Sequence, residues 1–123
     1  MASQHLFTLV VNNFNAVVAA GAGTVSQWTY TVPAGKTAIL ATCLARVADN
    51  ANAVETSFSD ILVNGVAIIR EVNDGAGNNT LTPVISMAPR VRLNEGDTVV
   101  GRTTNTGAAG VVMQVAAVVE EYG

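Results

Sequence analysis

Hydrophobic and polar positions alternate along most of this chain with the period of two that marks half-buried β-strands. In Val25-Ser26-Gln27-Trp28-Thr29-Tyr30-Thr31-Val32 the bulky residues Trp28, Tyr30 and Val32 fall on one face. Leu6 to Val11, Ala16 to Ala20, Phe58 to Val63, Val66 to Val72, Leu81 to Met87, Arg90 to Leu93 and Thr98 to Thr104 read as further strands. Two runs are apolar on both faces, residues 37–47 and Val111 to Val119. The first suits a central strand, and five valines between 111 and 119 favour a strand over a helix there. Pro83 argues for an edge position or a bulge in its run.

The breaks between these runs carry specific turn chemistry. In Val32-Pro33-Ala34-Gly35-Lys36, proline presets φ and Gly35 accepts the positive φ of a type II turn. Asn64-Gly65 predicts a type I′ hairpin, in which both central residues take positive φ. Leu93-Asn94-Glu95-Gly96-Asp97-Thr98-Val99 reverses the chain before its last third, with Asp97 placed to cap the turn. Asn12-Asn13-Phe14-Asn15 reads as a turn or an irregular passage, and Asp49 to Ala53, Asn73 to Asn79 and Asn105 to Gly110 read as loops. Short strands at this spacing with no convincing helix predict one all-β domain, a sandwich or barrel. Residues 1–23 form an N-terminal strand or arm segment, and residues 24–123 form the β-sandwich proper.

Composition narrows the function. Half of the 123 residues are hydrophobic and only 12% are charged, which leaves the surface poorly protected against association. The expected consequence is surface reserved for partners, most simply copies of the same chain. The net charge is −3 and no cations cluster, so a nucleic-acid partner is not expected. Arg90 and Arg92 share one strand face and read as solvated charges. No apolar run is long enough to span a bilayer as a helix, and the N-terminus lacks the cationic start of a signal peptide. A soluble product made in a cytoplasm is the expectation.

Candidate chemistry is sparse. His5 is the only histidine and Cys43 the only cysteine, too few for a zinc site or a histidine-based nucleophile relay. Cys43 lies in an apolar run and reads as a small core residue. Glu55 with Asp60, Glu71 with Asp74, and Glu95 with Asp97 are the conceivable carboxylate pairs, and the last flanks a turn glycine. Asp74 to Asn78 resembles a calcium loop only loosely. Gly21-Ala22-Gly23 and Gly75-Ala76-Gly77 lack the strand-to-helix setting of a phosphate loop. Trp28 and Tyr30 fall on the expected core face, which leaves no sugar platform. No catalytic, cofactor-binding or metal-binding residues are expected, and no enzyme.

In order along the chain, the Pro-Ala-Gly turn after an aromatic strand, the Ile61-Leu62-Val63-Asn64-Gly65-Val66 hairpin, and Leu93 to Val99 before a valine-rich last strand resemble the small jelly-roll decoration (cement) and head-fibre proteins of tailed bacteriophages. The resemblance covers roughly residues 24–120. It implies an antiparallel jelly-roll β-sandwich of about eight strands and a structural virion protein. Such a protein is assembled in the host cytoplasm and sits on the capsid surface, as a homo-oligomer, a trimer by that resemblance, against the major capsid protein. A phage tail, fibre or baseplate module that binds a host receptor or carbohydrate is the alternative. The expected oligomer interface is the outward side of the last strand, with Val112, Gln114, Val115 and Val118 as its candidates. Residues 1–23 are expected to help dock on the shell or on a sister subunit.

Overall fold

The computed structural model describes residues 7–48, 52–53, 55–73 and 84–123. His5, Asp49, Asp74, Pro83 and the whole of the loosely calcium-like segment 74–78 lie outside the described residues, as does the beginning of the strand expected from Leu81. The strands are β1 (Phe7–Val18), β2 (Gly23–Thr31), β3 (Thr37–Ala48), β4 (Ser57–Val63), β5 (Val66–Val72), β6 (Val84–Met87), β7 (Val91–Leu93), β8 (Thr98–Asn105) and β9 (Val111–Tyr122). No helix among the described residues is long and apolar enough to cross a membrane.

Two antiparallel sheets form. The first has the order β1-β9-β3-β6, with β7 also pairing β3, and the second has the order β2-β8-β4-β5. If β6 and β7 are taken as one interrupted strand, this is the eight-strand jelly roll that the turn order predicts. The interruption falls at Met87 to Val91, around Pro89, whose ring removes a ladder donor.

The turn residues act as their chemistry requires. Asn64 and Gly65 both take positive φ, at 50° and 82°, and close the β4–β5 hairpin. Gly35 has φ 79°, and the Lys36 amide donates to the Pro33 carbonyl at 3.1 Å, so the proline opens this turn and does not sit inside it. The Pro33 turn and the Gly96 turn meet at the same end of the sandwich. There Gly96 N donates to Val32 O at 3.0 Å, Val32 N to Asp97 O at 3.0 Å, and Gly35 N to the Glu95 carboxylate. Asp97 accepts from Asn94 N at 2.8 Å, the expected cap.

One expectation fails at the N-terminus. Asn12 to Asn15 form no turn, and β1 runs unbroken for 12 residues, each in register with β9 from Phe7↔Tyr122 to Val18↔Val111. A long partner strand outweighs the weak β-propensity of three asparagines, of which Asn13 and Asn15 stay exposed on the outer face and Asn12 turns inward. Segment 7–18 is thus the first strand of the sandwich itself.

The core lies between the sheets. Leu40, Ile61, Leu93, Met113, Val115 and Val119 are fully buried, and Tyr30 and Val32 join them as the alternation predicts. Trp28 lies over Gly101, where an added Cβ would come within 2.3 Å of the indole, and its Nε1 donates to Val115 O at 2.9 Å. That contact ties the two sheets together and removes Trp28 from any external platform. Cys43 is buried, and desolvation pushes its thiol up to about 11, so it is an inert core residue at neutral pH.

Candidate interaction surface

The two outer faces of the sandwich differ. On the first sheet, β1 directs Phe7, Leu9, Val11 and Val17 outward, with exposures of 50%, 56%, 65% and 65%. Pairing register sets Val11 beside Val118 and Val17 beside Val112 on β9; β3 continues the face with Leu44 beside Ala116 and Ile39 beside Glu120. An apolar groove of ≈ 420 Å³ crosses it, lined by Val11, Thr42, Leu44, Met87, Ala116 and Val118 among others. An antiparallel sheet in water ordinarily alternates apolar inside and polar outside. Here both faces are apolar over much of β1, β9 and β3. The part around Val11, Val118, Ala116 and Leu44, which the polar row Asn15-Gln114-Arg46 separates from Val17 and Val112, is an apolar patch of the kind that marks an interaction surface.

Charge enters this face at Arg46 on β3, which donates to Asn15 at 3.4 Å across Gln114, and at the corner around Glu120. Arg90 donates to Glu120 at 2.9 Å, and Tyr122 Oη donates to the other Glu120 oxygen at 2.8 Å. The hydrogen bond to Glu120, with desolvation, raises the Tyr122 pKa against a lowering by Arg90. The Phe7 and Tyr122 rings meet at 5.6 Å between centroids at the same corner. On the inner side of that corner Tyr30 Oη donates to Glu121 at 2.6 Å, and Lys36 reaches the other Glu121 oxygen at 3.4 Å. Desolvation, with the Glu121 hydrogen bond added, raises the Tyr30 pKa well above that of a free phenol.

The outer face of the second sheet carries Phe58, Leu62 and Val100 beside Asp60 and Arg102, and its charges are internally satisfied. Asp60 on β4 is fully buried between Arg70 on β5 and Arg102 on β8, its register neighbours. Arg70 donates to it at 2.8 and 3.2 Å and Arg102 at 2.7 and 3.0 Å. The Asp60 hydrogen bond is the largest cause of a raised Arg102 pKa. Arg70 also lies 4.5 Å from the Phe58 ring centroid, a cation–π contact that covers the aromatic face. With both guanidinium groups engaged, little here is left to recruit a partner.

The four residues expected at the interface divide between two faces. Val112, Gln114 and Val118 are half-buried on the outer side of β9, in the apolar face just described, where Gln114 Nε2 donates to Asn13 at 3.1 Å. Val115 is a correction. It is fully buried, because strict alternation puts it inward with Val111, Met113, Ala117 and Val119. Sequence reasoning also missed β1, the largest contributor to the face, because the turn expected at Asn12 to Asn15 divided its pattern.

Of the conceivable carboxylate pairs, Asp60 is enclosed by arginines, while Glu95 and Asp97 each bond to turn amides. Among the described residues no group of three or more His, Cys, Asp or Glu side chains is placed to hold a metal ion. The end of the sandwich opposite the paired turns is held by buried amides that pattern reading did not find. Asn105 donates to the carbonyls of Val18, Ala19 and Ala109 at 2.9–3.2 Å, and Asn52 donates to Ala109 O at 3.1 Å. Their role is to fasten loops.

No family model and no curated protein matches the chain significantly. Among solved structures the chain is similar to part of dimeric latent PorU from Porphyromonas gingivalis, at 8% identity and a TM-score of 0.55. That match covers 94% of this chain but only 13% of the other, so the chain spans a small fraction of that protein's length. A second similar structure is the virus-like particle of the extra small virus of the giant freshwater prawn Macrobrachium rosenbergii. It is 13% identical with a TM-score of 0.47, over 98% of this chain and 83% of that one. A family 35 carbohydrate-binding module from Clostridium thermocellum is 18% identical with a TM-score of 0.35, over 93% and 98% of the two chains. At 8% identity the likeness to PorU is of fold alone, and the strand order on its own already makes the chain an antiparallel jelly roll.

Proposed function

We propose that this chain is a non-enzymatic structural protein of a virus particle, a decoration subunit that lies on an assembled shell. The observation that carries the reading is the apolar outer face of the β1-β9-β3-β6 sheet, opposite a second face whose charges are already paired. A protein that binds only the assembled lattice stabilises that lattice by its binding free energy at every site. A jelly roll with one greasy face supplies such a ligand, with the major capsid protein as the partner surface. The bacteriophage setting comes from the resemblance of the turn order. The alternative receptor-binding reading gains no observation, since the indole that could stack on a sugar is turned inward.

The experiment is to add the purified chain to empty, undecorated phage shells and to look for added surface density by electron microscopy. Wild type is expected to add density in register with the lattice, and Val118→Asp to add none while keeping the fold. Shells left bare by the wild-type chain overturn the shell reading.

A further inference from the structure

The first 35 residues contain no Asp, Glu, Lys or Arg, so all of the chain's acidic side chains, lysine and arginines follow Gly35. That stretch holds β1 and β2, which are the edge strands of the two sheets and lie on one side of the sandwich. Natural sheets protect long edges with charges, prolines, bulges or brevity. β2 has a bulge between Ser26 and Trp28. The opposite side has Arg70 and Glu71 on β5, and short β6 and β7 interrupted around Pro89. β1 has none of these devices. It is 12 residues long, pairs with β9 without a register shift, and no strand among the described residues pairs with its other edge.

Its sequence also reads almost the same in both directions. Val10-Val11-Asn12-Asn13-Phe14-Asn15-Ala16-Val17-Val18 is a palindrome about Phe14 except where Asn12 answers Ala16. Antiparallel pairing of two such strands about a two-fold axis at Phe14 sets like against like. Outside, Val11 meets Val17 of the second copy and Asn13 meets Asn15. Inside, Val10 meets Val18 and Phe14 meets Phe14. The faces also agree, since residues whose numbers sum to an even value share a side of an antiparallel sheet. We infer that the free edge of β1 pairs with β1 of a second copy of this chain, joining the two β1-β9-β3-β6 sheets into one continuous sheet.

Two details fit this occupant. Phe14 is only half-buried, packing on both core clusters, and the second ring covers its exposed part. Asn12 Nδ2 is the buried side-chain nitrogen without a hydrogen-bond partner among the described residues. At the one mismatch of the palindrome Asn12 faces the small Ala16 of the second strand. The area suffices. Nine paired residues span roughly 30 Å, and two sheets about 10 Å apart make a wall about 20 Å tall, hence about 1,200 Å² in total, above the ~1,000 Å² that a specific interface needs. An isologous contact of this kind closes at two copies, in place of the trimer that the phage resemblance implies. It also doubles the apolar face, so the inference deepens the shell reading and rests on it only for its purpose, not for its geometry.

The test is the mass of the full chain at micromolar concentration by sedimentation velocity, with circular dichroism to show that each variant folds. Wild type is expected at twice 12.6 kDa. Asn13→Glu with Asn15→Glu sets like charges opposite one another across the seam and is expected to halve the mass. Asn13→Lys with Asn15→Glu sets opposite charges there and is expected to restore the dimer. Both variants carry the same Asn15→Glu change beside Arg46, and at position 13 Gln114 can donate to a carboxylate or accept from an ammonium, so the difference in mass between them reads chiefly the seam. A monomeric or trimeric wild type, or equal masses for the two variants, overturns the pairing. A folded monomer that still decorates shells removes the pairing and leaves the shell reading; a dimer that leaves shells bare does the reverse.

Discussion

The two outer faces of this sandwich solve the same problem in opposite ways. The β2-β8-β4-β5 face places its one buried carboxylate, Asp60, between two arginines, so its charges are satisfied within the chain. The β1-β9-β3-β6 face instead leaves Leu9, Val11 and Val17 more than half exposed. The first face is complete in the monomer. The second leaves apolar side chains in water in the monomer, and for a fold that carries many unrelated functions that difference is what supports the proposed docking role.

The contrast is sharpest within β9, where neighbouring residues point to opposite environments. Val115→Asp buries an unpaired carboxylate among core side chains and is expected to abolish folding, seen as loss of the cooperative thermal transition. Val118→Asp, three residues on, is expected to leave the melting temperature within a few degrees while removing shell binding. If the two variants behave alike, the assignment of the faces fails.

The closed face has its own test. Asp60→Ala leaves Arg70 and Arg102 facing one another without their shared acceptor. Breaking a buried ion pair costs about 3–5 kcal/mol, and the partial exposure of both arginines reduces the expected loss to about 2–3 kcal/mol by chemical denaturation. Replacing Gly101 tests the tie between the sheets. Gly101→Ala drives a methyl into the Trp28 indole and is expected to cost about 1–3 kcal/mol, with a shift in tryptophan emission as the Nε1 hydrogen bond to Val115 O is strained.

The smallest expected effect is alkaline. The Cys43 thiol is raised from 9.0 to about 11 by burial, and Tyr30 is raised by burial and Glu121. In both cases the folded chain holds a proton that the unfolded chain releases sooner. Their contribution to stability is therefore intact below pH 9, and it declines as the pH rises from there. Denaturation curves are expected to coincide from pH 7 to about 8.5 and to weaken above about pH 9, less steeply in Cys43→Ala. An unchanged slope in that variant contradicts the buried-thiol account.

Much of this architecture is legible in the chain. The Asn64-Gly65 hairpin, the Pro33 to Lys36 turn, the capped turn at Asn94 to Asp97 and the inward set of Trp28, Tyr30 and Val32 each follow from backbone chemistry or alternation within a few residues. What escapes depends on partners distant in sequence. Asn12 to Asn15 carry a turn-like composition, and only the full-length pairing with β9 makes them strand. Asp60 is a lone acid in an apolar run until register sets Arg70 and Arg102 beside it. Val115 and Val118 are the same residue type in the same run, and face assignment needs a phase that a strand apolar on both sides does not reveal. The outer-face candidates Val112, Gln114 and Val118 are legible for that reason only as part of a mixed set.

The account turns on whether the outer face of the first sheet is an assembly surface. The most direct measurement compares wild type and Val118→Asp for binding to empty phage shells, by co-sedimentation followed by electron microscopy of the pelleted particles. The account predicts saturable decoration by wild type and bare shells with the folded variant. Equal decoration by both, or by neither, contradicts it.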